Sequence, residues 1–115
     1  MSIWRNIFGG ADEDAETIAP VNVENAVRKA GRAKGRVQRV GFRVFVRNSA
    51  RELGVTGWVK NMSDGSVTME LQGEPQTVER LIAKIKKGND WIKVTNFEES
   101  DLPVVAGENT FAIRY

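Results

Sequence analysis

The 115-residue chain contains no histidine and no cysteine. Without cysteine there are no disulfides, no thiol nucleophile and no thiolate metal ligands. Without histidine the usual zinc and iron ligand sets are excluded, together with the commonest general base. No apolar run approaches the ~20 residues that a membrane-spanning helix needs. The apolar stretch in MSIWRNIFGG is too short for a signal peptide, and the acids that follow it argue against a transit peptide. What remains for chemistry is carboxylates, lysine, arginine, backbone amides or the substrate itself. No metal and no membrane are thus expected as partners, and the chain is further expected to be a cytoplasmic monomer.

One further absence is local. From Arg28 to Arg51 there is no acid, while nine basic residues occur: Arg28, Lys29, Arg32, Lys34, Arg36, Arg39, Arg43, Arg47 and Arg51. Removing these nine from the 17 lysines and arginines leaves eight against 15 acids, so the small formal net charge of +2 hides a remainder at −7. Such a localised field gathers anions at one place and raises their encounter rate.

The length suits one domain with a real core. Residues 1–30 differ from the rest. ADEDAETIAP has four acids in ten residues and few large apolar side chains, as a flexible extension would, and VENAVRKA has the composition of a short helix. Residues 31–115 carry stronger signals. Ala33, Gly35 and Val37 alternate with Lys34 and Arg36, the pattern of a strand with one buried face. Phe42, Phe45, Val46, Ala50 and Leu53 form one stripe of an amphipathic helix that stops at Gly54. VTGWVKN reads as a strand, Ser63-Asp64-Gly65 as a hairpin turn, and Val67, Met69 and Leu71 as the inward face of the returning strand. Pro75 opens a second helix whose stripe is Val78, Leu81, Ile82 and Ile85. A fourth strand begins around Ile92 and Val94, and Phe111, Ile113 and Tyr115 alternate in a fifth. The order β-α-β-β-α-β plus one strand predicts an α+β ferredoxin-like sandwich, an antiparallel sheet with both helices on one face.

The segment GRVQRVGFR, Gly35 to Arg43, falls where the first strand meets the first helix. Unpaired amides and the helix dipole favour an anion at such a junction. Gly35 and Gly41 let the chain turn so that successive N–H groups line a nest, and Arg43 is placed to fold over it. A phosphoryl-sized anion suits this site. Trp58 and Phe42 are most simply core residues, and Arg47 and Arg51 contribute field rather than contacts.

GRVQRVGFR, followed by NSARELGVTGWVKN and the Asp-Gly turn, resembles the acylphosphatase family, whose signatures read approximately G-x-V-Q-G-V-G-F-R and G-x-x-G-W-V-x-N. The similarity runs from about residue 31 to the closing FAIRY. It implies the same fold and a hydrolase that cleaves small acyl phosphates to carboxylate and inorganic phosphate without metal or cofactor, with phosphate as product and inhibitor. It also implies that Arg43 and the amides of Val37, Gln38, Arg39, Val40, Gly41 and Phe42 hold the phosphoryl group, while Asn61 orients the attacking water. Gln38 is alternatively a brace for the loop. Arg39 stands where the family usually has glycine, and a left-handed backbone there would cost arginine about 1–2 kcal/mol. That cost points to a slow enzyme, or to a weakly catalytic anion-binding module. An RNA-binding domain of the same element order is the remaining alternative. It lacks support because neither SVTMELQ nor the first strand offers an aromatic residue for bases to stack on, so nucleic acid is not the expected partner.

Overall fold

A computed structural model describes residues 16–19 and 22–115. The opening MSIWRNIFGG and most of the acidic stretch lie outside the described residues. The elements are β1 (Val27–Arg36), α1 (Phe42–Leu53), β2 (Thr56–Asn61), β3 (Val67–Gly73), α2 (Pro75–Lys87), β4 (Lys93–Leu102) and β5 (Phe111–Arg114). VENAVRKA does not form the expected helix. Val23–Asn25 make a single 3-10 turn, with the Asn22 side chain accepting the Glu24 N–H at 3.0 Å. From Val27 onward the chain is strand. Here pairing on both sides overrides local preference: Arg28 stands opposite Gln72 of β3 and opposite Leu102 of β4.

The five strands form one sheet in the order β4-β1-β3-β2-β5. Among the first four in that order each strand is antiparallel to its neighbours, as expected, but β5 runs parallel to β2 and makes the sheet mixed. The direction follows from connectivity. Strand β4 stops at the end of the sheet where β2 starts, so the connection to the far edge delivers β5 pointing the same way as β2. The last residues of the chain consequently arrive beside the end of β2, which carries Asn61.

Both helices pack against the face bearing Ala33, Val59, Val67, Met69, Leu71 and Phe111, meeting it with Val46 and Ala50 of α1 and Val78, Leu81 and Ile85 of α2, all essentially inaccessible to water. Each large side chain so buried contributes roughly 1.5–3 kcal/mol. Gly54 ends α1 with its N–H returned to the Ala50 and Arg51 carbonyls, and Pro75 starts α2. Trp58 departs from the expectation of a core residue. It points to the opposite face of the sheet, half-buried, with the Arg114 guanidinium 4.6 Å from its ring centre.

Contacts also reach back before β1. Ile18 is buried and its N–H donates to the Asn109 carbonyl at 2.6 Å. Arg51, expected to supply only field, donates to the Phe111 carbonyl at 3.2 Å and lies 3.5 Å from the Glu16 carboxylate.

Candidate active site

Strand β1 ends at Arg36, and two buried side chains, Val37 and Phe42, pin the ends of the loop that leads into α1. Between them the backbone turns twice through left-handed conformations, at Arg39 (φ 65°) and at Gly41 (φ 76°). A Cβ at Gly41 would meet nothing within 4 Å, so conformation alone asks for glycine there. At Gly35 space decides as well, since a Cβ would lie 2.2 Å from the Lys93 carbonyl oxygen. Arg39 is the only non-glycine residue with positive φ among the described residues.

The first backbone hydrogen bond of α1 runs from the Phe45 N–H to the Gly41 carbonyl at 3.0 Å. Within the described residues no backbone hydrogen bond uses the N–H groups of Gln38 to Val44 as donors. These donors stand at the positive end of a helix dipole, an arrangement that favours an anion. Gln38 holds the loop in place. Its amide donates to the Met62 carbonyl at 2.8 Å and the Ser66 carbonyl at 2.9 Å, tying the loop to the turn that follows Asn61.

A cleft of about 130 Å³ opens over this loop, lined by Val37, Arg39, Gly41, Phe42, Arg43, Val44, Asn61, Ile113 and Tyr115. Of the residues expected from the sequence it brings together Arg43, Asn61, Val37, Arg39, Gly41 and Phe42. Gln38 and Val40 do not line it: Gln38 spends its amide on the turn, and Val40 packs half-buried against the core. Asn61 ends β2, and its Oδ1 is buried without a hydrogen-bond partner among the described residues. Arg43, in the first turn of α1, has its guanidinium carbon 5.1 Å from the centre of the Tyr115 ring. Val44, Ile113 and Tyr115 were not legible as site residues. No local pattern marks them, and only the parallel β2–β5 register, with Lys60 opposite Arg114, brings Tyr115 next to Asn61.

The basic stretch is largely neutralised by acids from elsewhere in the chain. Arg28 contacts Glu70 and Glu108, each at 2.8 Å, Lys29 pairs with Asp101, Arg32 with Asp64, and Lys34 with Glu98 at 3.8 Å. Arg36, Arg39 and Arg43 have no carboxylate partner among the described residues, so the uncompensated charge collects at the loop end of β1. Asp64 itself is held down to about 2 from its ordinary 3.8, because the Ser66 hydroxyl and N–H donate to it and Arg32 lies beside it. A larger, shallow depression of about 570 Å³ lies across the sheet and includes Trp58. Its Glu70, Glu98 and Glu99 would repel a phosphoryl group, whereas the small cleft is lined by Arg39, Arg43, Asn61 and residues of the loop and by no acid. That combination can grip a tetrahedral oxyanion and hold a water molecule beside it.

The chain is similar to known proteins. The acylphosphatase family model matches residues 29–113. An acylphosphatase from Clostridium beijerinckii is 43% identical over 89 residues, which cover 77% of this chain and 99% of the relative. The crystal structure of acylphosphatase from Bacillus subtilis superimposes with a TM-score of 0.74 at 32% identity, covering 77% of this chain and 99% of that one. An acylphosphatase from Coxiella burnetii gives 0.73 at 34% identity, covering 79% and 95%. The chain belongs to the acylphosphatase family.

Proposed function

We propose that this acylphosphatase hydrolyses small acyl phosphates without metal or cofactor, using Arg43 and the loop amides for the phosphoryl group and Asn61 for the water. The observation that carries this reading is the buried, unpaired Oδ1 of Asn61, a residue that lines the same cleft as Arg43. A buried acceptor left without a partner costs ~1–3 kcal/mol, so it is retained where something donates to it during function. Water does so here, donating to Oδ1 and presenting a lone pair to phosphorus.

In the reaction the water oxygen bonds to phosphorus while the bond from phosphorus to the acyl oxygen breaks. The electron pair leaves on a carboxylate, which is stable without protonation. The water proton passes to a phosphate oxygen of the substrate, so no side chain has to act as base. Positioning and charge neutralisation are then the protein's contribution. Arg43 is suited to a bidentate hold on two phosphoryl oxygens, and the Tyr115 ring supports its guanidinium.

Inorganic phosphate fits the same amides and should compete with substrate. The reading takes the enzyme as a cytoplasmic monomer. Among the described residues no helix is long and apolar enough to cross a membrane. The test is phosphate release from benzoyl phosphate with and without EDTA. Turnover should survive chelation and be competitively inhibited by phosphate. Loss of activity with EDTA would overturn the mechanism.

A further inference from the structure

The phosphoryl group is provided for by Arg43 and the amides, which leaves Arg39 unexplained. Its left-handed backbone is a conformation that glycine adopts freely and a side-chain-bearing residue does not. If loop shape were all this position supplied, arginine would be a cost without a return. An observed outlier of this kind at a site points to function. Arg39 is exposed, lines the same cleft as Arg43 and Asn61, and has no ion pair or hydrogen bond among the described residues.

The cleft is also lopsided. Val44, Ile113 and Tyr115 give it an apolar, aromatic side. Just before the loop, Arg36 stands directly opposite Lys93 in the β1–β4 pairing, both exposed and neither matched by an acid among the described residues. Like charges so placed repel, and with Arg39 they add to the positive field at the loop end of β1. Of these cations Arg39 lines the cleft itself, where the acyl part of a bound substrate would meet it.

We propose that Arg39 selects acyl phosphates whose acyl part carries a second anionic group, a carboxylate or a phosphate. The inference rests on the hydrolase reading above and adds a substrate class to it. Arg39 meets the distal anion, while Arg43 and the amides hold the phosphoryl group being transferred.

The test compares kcat/KM of the full chain for benzoyl phosphate, 4-carboxybenzoyl phosphate and 4-phosphonobenzoyl phosphate at low salt. The parent should prefer a charged acyl group by about fivefold, the reach of a favourable exposed charge pair, and the preference should fade as salt rises. The carboxy and phosphono arms show which anion fits better. Arg39→Asn keeps a side chain tolerant of left-handed backbone and drops the charge; it should abolish the preference. Arg39→Lys should keep most of it, with the inhibition constant of inorganic phosphate alike in all three proteins. A preference unaffected by Arg39→Asn overturns the inference. So does an equal loss on all substrates with weaker phosphate inhibition, which would put Arg39 on the transferred phosphoryl group. If the parent hydrolyses none of the substrates, the hydrolase reading fails and takes this inference with it.

Discussion

Replacing Asn61 with alanine separates a catalytic role from a structural one. The side chain is half-buried, and its Oδ1 has no partner among the described residues. Removing an unpaired buried acceptor recovers part of a ~1–3 kcal/mol desolvation cost, and the lower half applies because the residue is only partly enclosed. Against this, truncation gives up the burial of a half-buried side chain, about the ~0.8 kcal/mol of one methylene group. The net is a stability change between zero and about +1 kcal/mol, equivalent to a melting midpoint unchanged or raised by up to roughly 4–8 °C. Turnover should move the other way. Losing the group that orients the nucleophile is expected to lower kcat by ~10²–10³, the scale of one lost preorganised contact. KM and phosphate inhibition should change little, since Arg43 and the amides are untouched. Thermal melts and steady-state kinetics on benzoyl phosphate check both halves. A variant less stable by more than ~1 kcal/mol with near-normal kcat would show that Asn61 is a structural residue and refute the reasoning.

Four further outcomes are expected. Arg43→Gln should stay folded, lose at least ~10²-fold in kcat/KM and lose the NMR shift changes that inorganic phosphate induces in the loop amides. Arg28→Met should cost about 3 kcal/mol in urea unfolding, the lower end for breaking a buried ion pair, because the Glu70 and Glu108 side chains it leaves behind keep 30% and 17% exposure. The depressed Asp64 pKa contributes stability that is present above its ordinary 3.8 and lost as pH falls toward about 2. Asp64→Asn should therefore flatten the fall of the melting midpoint across that window. Deleting residues 1–15 should preserve the fold, whereas deletion through residue 28 removes buried Ile18 and Arg28 and should lower the melting midpoint sharply or prevent folding.

Elements whose signal is local were legible in the sequence. The stripes of α1 and α2, Gly54 behind the first and Pro75 ahead of the second, and the alternation in β3 each require only neighbours along the chain. Where the reading failed, distant residues decide. Val27–Ala30 looked helical by composition but become strand because β3 and β4 pair with them from both sides. Arg51 looked like surface charge but reaches the Phe111 carbonyl. Trp58 looked like core by its size, yet its place in β2 turns it to the other face, where Arg114 covers it.

The site divides in the same way. Its loop is contiguous, so Arg43 and the turn residues could be found from one nine-residue segment, and Asn61 from a second motif. The aromatic side of the cleft could not. Tyr115 reaches Arg43 only because β4 ends where it does and forces β5 to run parallel to β2. The electrostatics needed the fold too. In sequence the basic stretch is uniform, but in space Arg28, Lys29, Arg32 and Lys34 are each met by an acid. The part of the field that can act on a substrate is what this pairing leaves over, at Arg36, Arg39 and Arg43. Arg39 therefore adds charge where the rest of the chain has already stopped cancelling it, and does so at a backbone position where arginine is disfavoured. A neutral acyl group would gain nothing from that charge and would still meet a strained loop, whereas the proposed second anion gives the charge a use.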